Sequence, residues 1–302
     1  MEVFETYRPL LFSIAYRMTG SASEAEDIVQ ETYLRSQDTP PHEIRSLKSF
    51  LTTIATRLCL NYLNSAHVER EQYIGIWLPE PVLTVDGVVH PQEQIEQKES
   101  LSYAFLVLLE TLTAPERAIF LLHEVFDFPF QEISEIVDRT PAACRQIFHR
   151  AKERLAARQQ RFPTSAGKQR EMLESFLHAC QSGNLSALTE LLASDATAWA
   201  DGGGKVRTVT RPISGREAVA RFFLGLQRLL PVGLTICIEE VNGSASLVGW
   251  NGEYLEWVLQ LDIQDDQIQN LQTVLNPDKL AFIHQQLQPT SQIENALDMA
   301  DK

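Results

Sequence analysis

The sequence predicts a multidomain protein: two all-α domains followed by an α+β domain, a curved antiparallel sheet closed by helices into a cone. Three observations carry this. Apolar residues recur at helical spacing through the first 160 of the 302 residues. After Pro231 the texture changes to alternation punctuated by glycine, as in antiparallel strands. Two breaker stretches interrupt the chain: Trp77–Pro91, which holds Pro79, Pro81, Gly87 and Pro91, and Phe162–Lys168. The expected division is a helical domain at 1–75, a linker at 76–98 and a second helical domain at 99–161. A short linker at 162–168, the cone at 169–287 and a frayed polar tail at 288–302 complete it.

The elements follow in order. Phe4, Tyr7, Leu11, Ile14, Ala15 and Met18 mark a first helix, which Thr19-Gly20 breaks. Ser23 with Glu26 three residues on has the form of a capping box, opening a second helix that runs to about Arg35. Beyond the Ser36–Pro41 loop, Leu47, Phe50, Leu51, Ile54, Leu58 and Tyr62 stripe a long third helix. Its polar face carries Lys48, Arg57 and Asn61.

Composition narrows the class. At 44% hydrophobic residues the chain can fill real cores, which excludes global disorder. A net charge of -14 argues against a protein that coats nucleic acid by bulk electrostatics. Yet Arg139, Arg145, Arg150, Lys152, Arg154, Arg158 and Arg161 cluster within one short segment, a focused site for an anion. The cysteines, Cys59, Cys144, Cys180 and Cys237, form no CxxC pair and read as buried reduced thiols, so no metal and no cofactor are expected. The N-terminus has no signal-peptide pattern, and the longest apolar runs are far too short to span a bilayer. A cytoplasmic protein with no membrane partner is expected.

Phe130–Arg158 carries the most local information. Phe130–Val137 reads as a short helix with Ile133, Ile136 and Val137 inward, and Asp138-Arg139 as a turn. Thr140 suits an N-cap and Pro141 the first helical position, where its missing N–H is no loss. The next helix buries Cys144, Ile147 or Phe148, Ala151 and Leu155. Arg145, Gln146 and His149 then stand on an exposed face, with Arg150, Arg154 and Arg158 beside them. This is a helix-turn-helix pattern: early residues of the second helix can meet base edges, and later arginines suit phosphates. A solvated basic helix in an ordinary bundle is the plainer reading, against which turn, cap, proline and charge all agree.

Two longer stretches narrow this further. EAEDIVQETYLR (Glu24–Arg35) with LKSFLTTIATRLCLNYL (Leu47–Leu63) resembles region two of extracytoplasmic-function (ECF) sigma factors, and Leu101–Leu155 resembles their region four. WLPEP (Trp77–Pro81), DGGGK (Asp201–Lys205) and NPDKL (Asn276–Leu280), in that order, resemble the subgroup with a fused SnoaL-like C-terminal domain. The resemblance implies roles. Asp27, Gln30 and Glu31 would dock on the polymerase beta-prime clamp, and the second helical domain would reach the beta flap. Lys48, Arg57 and Asn61 would hold the −10 element; Arg145, Gln146, His149 and Arg150 would engage the −35 element. It also implies an interdomain regulatory contact made by Trp77, Leu78, Pro79, Glu80 and Pro81 with Asp201, Gly202, Gly203, Gly204 and Lys205 and with Asn276, Pro277, Asp278, Lys279 and Leu280. The expected partners are core RNA polymerase and promoter DNA.

In the C-terminal part, Arg170–Cys180, Leu185–Leu192 and Gly215–Leu229 read as helices, the last with Ala218, Phe222, Phe223, Leu226 and Leu229 inward. Leu234, Ile236, Ile238 and Val241 alternate, Asn251-Gly252 signals a hairpin and Asp265-Asp266 another turn. The cone fold hosts enzymes and binding modules alike, so a small ligand for it stays open. Asp201, Asp195, His178, Glu253 and Glu256 are the candidate acids and bases, but no nucleophile–base pair stands among them and no enzyme is expected. DGGGK taken alone reads as a glycine turn with Asp201 and Lys205 solvated. The competing functions are a one-component helix-turn-helix regulator with a sensing cone, and a bifunctional protein with isomerase or hydrolase activity.

Overall fold

The computed structural model describes residues 2–71, 73–84, 102–156 and 166–287. The chain forms two compact units: Met1–Gln72 with Thr84–Gln159, and Tyr73–Leu83 with Gln160–Lys302. The segment that lies between the helical domains in sequence thus belongs, over Tyr73–Leu83, with the C-terminal unit.

The first unit is helical. Helix α1 (Glu2–Thr19) buries Leu11, Ile14, Ala15 and Met18. Gly20, at φ 69°, ends it and donates to the Tyr16 carbonyl. Helix α2 (Ala22–Ser36) is capped by Ser21, whose hydroxyl accepts from the Glu24 amide at 3.1 Å. The cap therefore stands two residues before Ser23, because Gly20 already frees the chain to turn. Helix α3 (Leu47–Glu71) packs Leu51, Ala55, Cys59 and Leu63 inward. Helices α4 (Tyr103–Leu109) and α5 (Ala114–Phe120) follow, and a π-turn, Leu121–Val125, extends α5. Thr113 and Glu116 form a capping box at the start of α5. Helices α6 (Phe130–Ile136) and α7 (Pro141–Ala156) complete the unit.

The second unit is α+β. Helices α8 (Ala166–Gln181) and α9 (Leu185–Leu191) precede strands β1 (Leu192–Asp201) and β2 (Ile213–Ser214). After α10 (Arg216–Gln227) come β3 (Leu234–Val241), β4 (Ser244–Asn251), β5 (Tyr254–Gln264) and β6 (Gln267–Val274), then a last helix, α11, at 277–287. The sheet order is β2-β1-β6-β5-β4-β3. Its hairpins are antiparallel as the alternation predicts, but β1 and β6 run parallel, Ala198 opposite Leu271 and Asp201 opposite Val274.

Met172, Leu173 and Phe176 of α8 close over Ala196, Ala198, Leu247, Leu259, Leu261 and Leu271 of the sheet. Helix α10 faces this core with Val219, Ala220 and Phe223. Ala218 is exposed, and Leu226 and Leu229 are 37% and 79% exposed, so the expected inward face is rotated. Val219, Ala220 and Phe223 form the inward stripe, which leaves Ala218 and Leu226 toward solvent, and Leu229 lies beyond the end of the helix.

Candidate functional site

Two sites emerge, one in each unit. In the first, the helix-turn-helix is built as its sequence implies. Asp138 takes φ 53° in the turn, and the Thr140 hydroxyl accepts from the Ala143 amide at 3.2 Å. Pro141 opens α7, which buries Cys144, Phe148, Ala151 and Leu155; Phe148 rather than Ile147 is the deep anchor. It stacks on Phe120 and meets Phe130 edge to face. Arg145, Gln146, His149 and Arg150 are all exposed, the His149 ring meeting that of Phe148 edge to face. The Arg145 guanidinium lies 5.7 Å from the Phe130 ring centre, which steadies it over the short first helix. Farther along, Lys152 pairs with Glu124 at 2.7 Å and Arg154 with Glu116 at 2.8 Å, so these two cations have protein partners. Arg158 and Arg161 lie outside the described residues.

On α2, Asp27 and Gln30 are exposed, and Glu31 pairs with Arg35 at 2.7 Å. On α3, Lys48, Arg57 and Asn61 are exposed along one polar face. Lys48 stands 4.8 Å from the Phe128 ring centre, and Arg57 donates to the Ile136 and Glu135 carbonyls at 3.1 and 2.9 Å.

The second site is the docking of Tyr73–Leu83, a strap, on the cone. It begins with topology. Because β1 and β6 are parallel neighbours, their C-terminal ends lie side by side, and DGGGK and NPDKL leave the sheet at the same place. The Asp201 carbonyl accepts from the amides of Leu275 and Asn276 at 2.8 and 2.9 Å. Asn276 caps α11, its side-chain oxygen accepting from the Asp278 amide at 3.2 Å, and Pro277 takes the first helical position.

Asp201 is fully buried and is the hub. One carboxylate oxygen accepts from the Leu78 amide at 2.8 Å and from Lys279 Nζ at 2.7 Å. The other accepts from the Tyr73 hydroxyl at 2.5 Å and the Gly203 amide at 3.1 Å. Lys279 Nζ also donates to the Leu78 carbonyl at 2.5 Å and sits 4.2 Å from the Trp77 ring centre and 4.8 Å from that of Tyr73. Asn276 donates to the Tyr73 hydroxyl at 3.0 Å. The glycines are required by this closeness. Gly203 takes φ 58°, and a β-carbon there would stand 2.3 Å from Asn276 Nδ2; one on Gly202 would stand 2.4 Å from the Val206 carbonyl oxygen. Lys205 pairs with Asp278 at 2.5 Å on the surface, where such a pair adds little.

The rest of the strap is held by backbone and apolar contact. Leu78, Pro79, Glu80, Pro81, Val82 and Leu83 are all buried, and Leu280 is buried in α11. Val82 exchanges two bonds with Asn242: its amide donates to the side chain at 3.2 Å and its carbonyl accepts from the Asn242 amide at 2.9 Å. The Leu83 amide donates to Gln286 Oε1 at 2.9 Å, and Leu83 forms a β-bridge with Val241. Each fully buried aliphatic side chain here contributes on the order of 2 kcal/mol.

Asp201 is thus not the solvated turn residue that DGGGK alone suggests. Sequence reasoning also passed over Tyr73, Asn242 and Gln286. Only Asn242 had a visible signal, the Asn242-Gly243 pair, whose positive φ values of 53° and 73° make a β3–β4 hairpin turn. Of the candidate acids and bases, His178, Asp195, Glu253 and Glu256 are exposed and dispersed, and Asp201 is committed to the strap. Among the described residues no group of three His, Cys, Asp or Glu could hold a metal, and no helix is long and apolar enough to cross a membrane.

Residues 3–68 match Sigma-70 region 2 and residues 102–155 match Sigma-70, region 4. With the exposed helix-turn-helix face, these define a sigma protein of the two-module class, with an α+β cone behind it. The chain is 36% identical over 293 residues to the ECF RNA polymerase sigma factor SigJ of Mycobacterium tuberculosis (strain ATCC 25618 / H37Rv), covering 92% of this chain and 93% of that one. It belongs to the ECF RNA polymerase sigma factors. A probable ECF RNA polymerase sigma factor, SigI of Mycobacterium tuberculosis (strain CDC 1551 / Oshkosh), is 28% identical over 287 residues, 92% and 93% of the two chains. The crystal structure of M. tuberculosis SigJ superimposes with a TM-score of 0.74 at 32% identity, over 93% of this chain and 98% of that one. That likeness extends through the C-terminal cone, a SnoaL-like fold. The chain is accordingly a transcription initiation factor.

Proposed function

We propose that this sigma factor directs core RNA polymerase to promoters with a −10 and a −35 element, and that its own cone modulates the activity through the strap. Asp27, Gln30 and Glu31 on α2 dock on the beta-prime clamp, and the second helical module engages the beta flap. Lys48, Arg57 and Asn61 hold the melted −10 strand, which needs basic contacts to the backbone of unstacked nucleotides. Arg145, Gln146 and His149 read −35 base edges in the major groove while Arg150 contacts phosphate; their shared exposure on α7 supports this. The protein acts where the polymerase is, in the cytoplasm.

The observation that carries the regulatory part is the hub at Asp201, which binds the strap backbone at Leu78 and, through Lys279, the ring of Trp77. The strap is part of the covalent connection between the two sigma modules. Holding it on the cone shortens the free tether between them and so sets their effective concentration for each other. The cone's apolar interior and its dispersed carboxylates support a scaffold without chemistry of its own. The test is transcription by purified core polymerase with the wild-type chain or Trp77→Ala, with native holoenzyme assembly measured in parallel. Assembly in both, with altered transcript yield in the variant, is expected. Equal yields would remove the regulatory role, and failure of the wild type to assemble would remove the sigma reading.

A further inference from the structure

We infer that Phe130, backed by His123, is a positioning residue for the −35 contact: its ring holds the Arg145 guanidinium ready for a base without occupying the donors that read it. The inference rests on the −35 role proposed for Arg145. That side chain is exposed on α7, and a long exposed side chain gives up much rotamer freedom when a base fixes it. Holding it in advance lowers that cost, but the means of holding matters. A carboxylate takes up the in-plane N–H groups that a guanine edge needs, as Glu116 does for Arg154 at 2.8 Å. Lys152 and Arg154 have such acids, whereas among the described residues none pairs with Arg145. Its guanidinium lies instead over the Phe130 ring, 5.7 Å from the centre. A ring attracts the cation through its face and leaves the guanidinium edge free.

Phe130 opens α6 and is half-buried, so its own ring needs support. Two rings supply it. Phe148 meets it edge to face at 5.6 Å, and the His123 ring lies 4.0 Å from it, tilted by 34°. His123 also meets Phe148 edge to face at 4.7 Å. Its Nδ1 stands 3.0 Å from the Phe128 carbonyl oxygen, which can only accept, so that nitrogen carries the hydrogen and donates. His123 comes from the π-turn that extends α5; Leu121, Leu122 and Val125 of that turn are buried, and His123 is half-buried. Single π-turns of this kind are frequent at functional sites. The line of contact thus runs from the π-turn through His123 and Phe130 to the side chain that meets the base.

The test is a double-mutant cycle read on base preference. A promoter used by the wild-type holoenzyme on chromosomal DNA of the host is mapped from RNA 5′ ends, and its −35 bases are substituted one at a time. Run-off yields give the preference at each position for wild type, Phe130→Leu, Phe130→Tyr, His123→Asn, Arg145→Ala and Phe130→Leu combined with Arg145→Ala. Leucine keeps apolar bulk without a ring, tyrosine keeps the ring, and asparagine keeps a donor for the Phe128 carbonyl. Phe130→Leu should weaken preference about two- to fivefold, the strength of an exposed cation–π contact, at the positions that Arg145→Ala weakens and at no others. His123→Asn should act at the same positions to a smaller extent, and Phe130→Tyr should keep the wild-type profile. In the Arg145→Ala background, Phe130→Leu should add nothing. An equal effect with and without Arg145, a loss spread over all positions, or an unchanged profile in Phe130→Leu overturns the inference and leaves the −35 reading of Arg145 intact. If Arg145→Ala itself leaves every preference unchanged, that reading fails and the inference falls with it.

Discussion

Asp201 carries a full negative charge to a position without solvent contact, and four donors hold it there: the Tyr73 hydroxyl, the amides of Leu78 and Gly203, and Lys279 Nζ. Removing one member of such a pair leaves the other charge buried without compensation. Asp201→Ala should therefore lower stability by about 3–5 kcal/mol in urea unfolding, and adding Lys279→Met should recover part of it. Gly203→Ala should destabilise too, through positive φ and the clash with Asn276 together, whereas Gly252→Ala, with no atom near its notional β-carbon, meets only the φ penalty. Tyr73 gives a pH test. Burial first, then its bond to the Asp201 carboxylate, push the phenol above its ordinary 10.0. The folded state then favours the neutral phenol, so this contribution is whole below about pH 10 and is lost as pH rises through the raised folded value. Tyr73→Phe should flatten the alkaline fall of unfolding free energy between about pH 10 and about 11.5, followed by urea titration. At this scale the sequence named Asp201, Lys279 and Asn276 by resemblance. It offered no sign of Tyr73, which lies outside every motif and matters only because the strap folds back onto the cone.

Helices were the most legible elements. Thr140, Pro141 and the apolar spacing of Cys144, Phe148, Ala151 and Leu155 place α7 from local chemistry alone, since caps and periodicity act within a few residues. The reading erred where tertiary contact decides which side of an element faces inward: α10 turns Val219 and Ala220 to the core instead of Ala218 and Leu226. For α7, exposure separates recognition from stability. Arg145→Ala or Gln146→Ala should leave unfolding free energy within about 0.5 kcal/mol of wild type, as is usual for exposed sites. Either should lower transcription from a −35-dependent promoter by roughly 1–3 kcal/mol of discrimination, or about fivefold to a hundredfold, read by run-off yield across base substitutions.

At the scale of the molecule, the division of the chain changes how it should be cut. Leu78, Val82 and Leu83 are covered within the second unit, so a truncation that removes the cone uncovers them. Such a chain, ended near residue 160, should show lower solubility and stronger binding of a hydrophobic dye than the full chain, in addition to any change in promoter activity. The sequence by itself determined the helical modules, the hairpins and the family, because caps, turns and apolar periods are set by neighbours along the chain. It also delivered the three motifs as separate pieces. Only the tertiary structure decided that they form one site. DGGGK follows β1 and NPDKL follows β6, and had those neighbouring strands been antiparallel, the two motifs would stand at opposite ends of the sheet. Their parallel pairing, with Asp201 opposite Val274, puts both at one end of the sheet where the strap can close on them. Strand direction across a sheet is fixed by packing between residues far apart in the chain, and no local pattern records it.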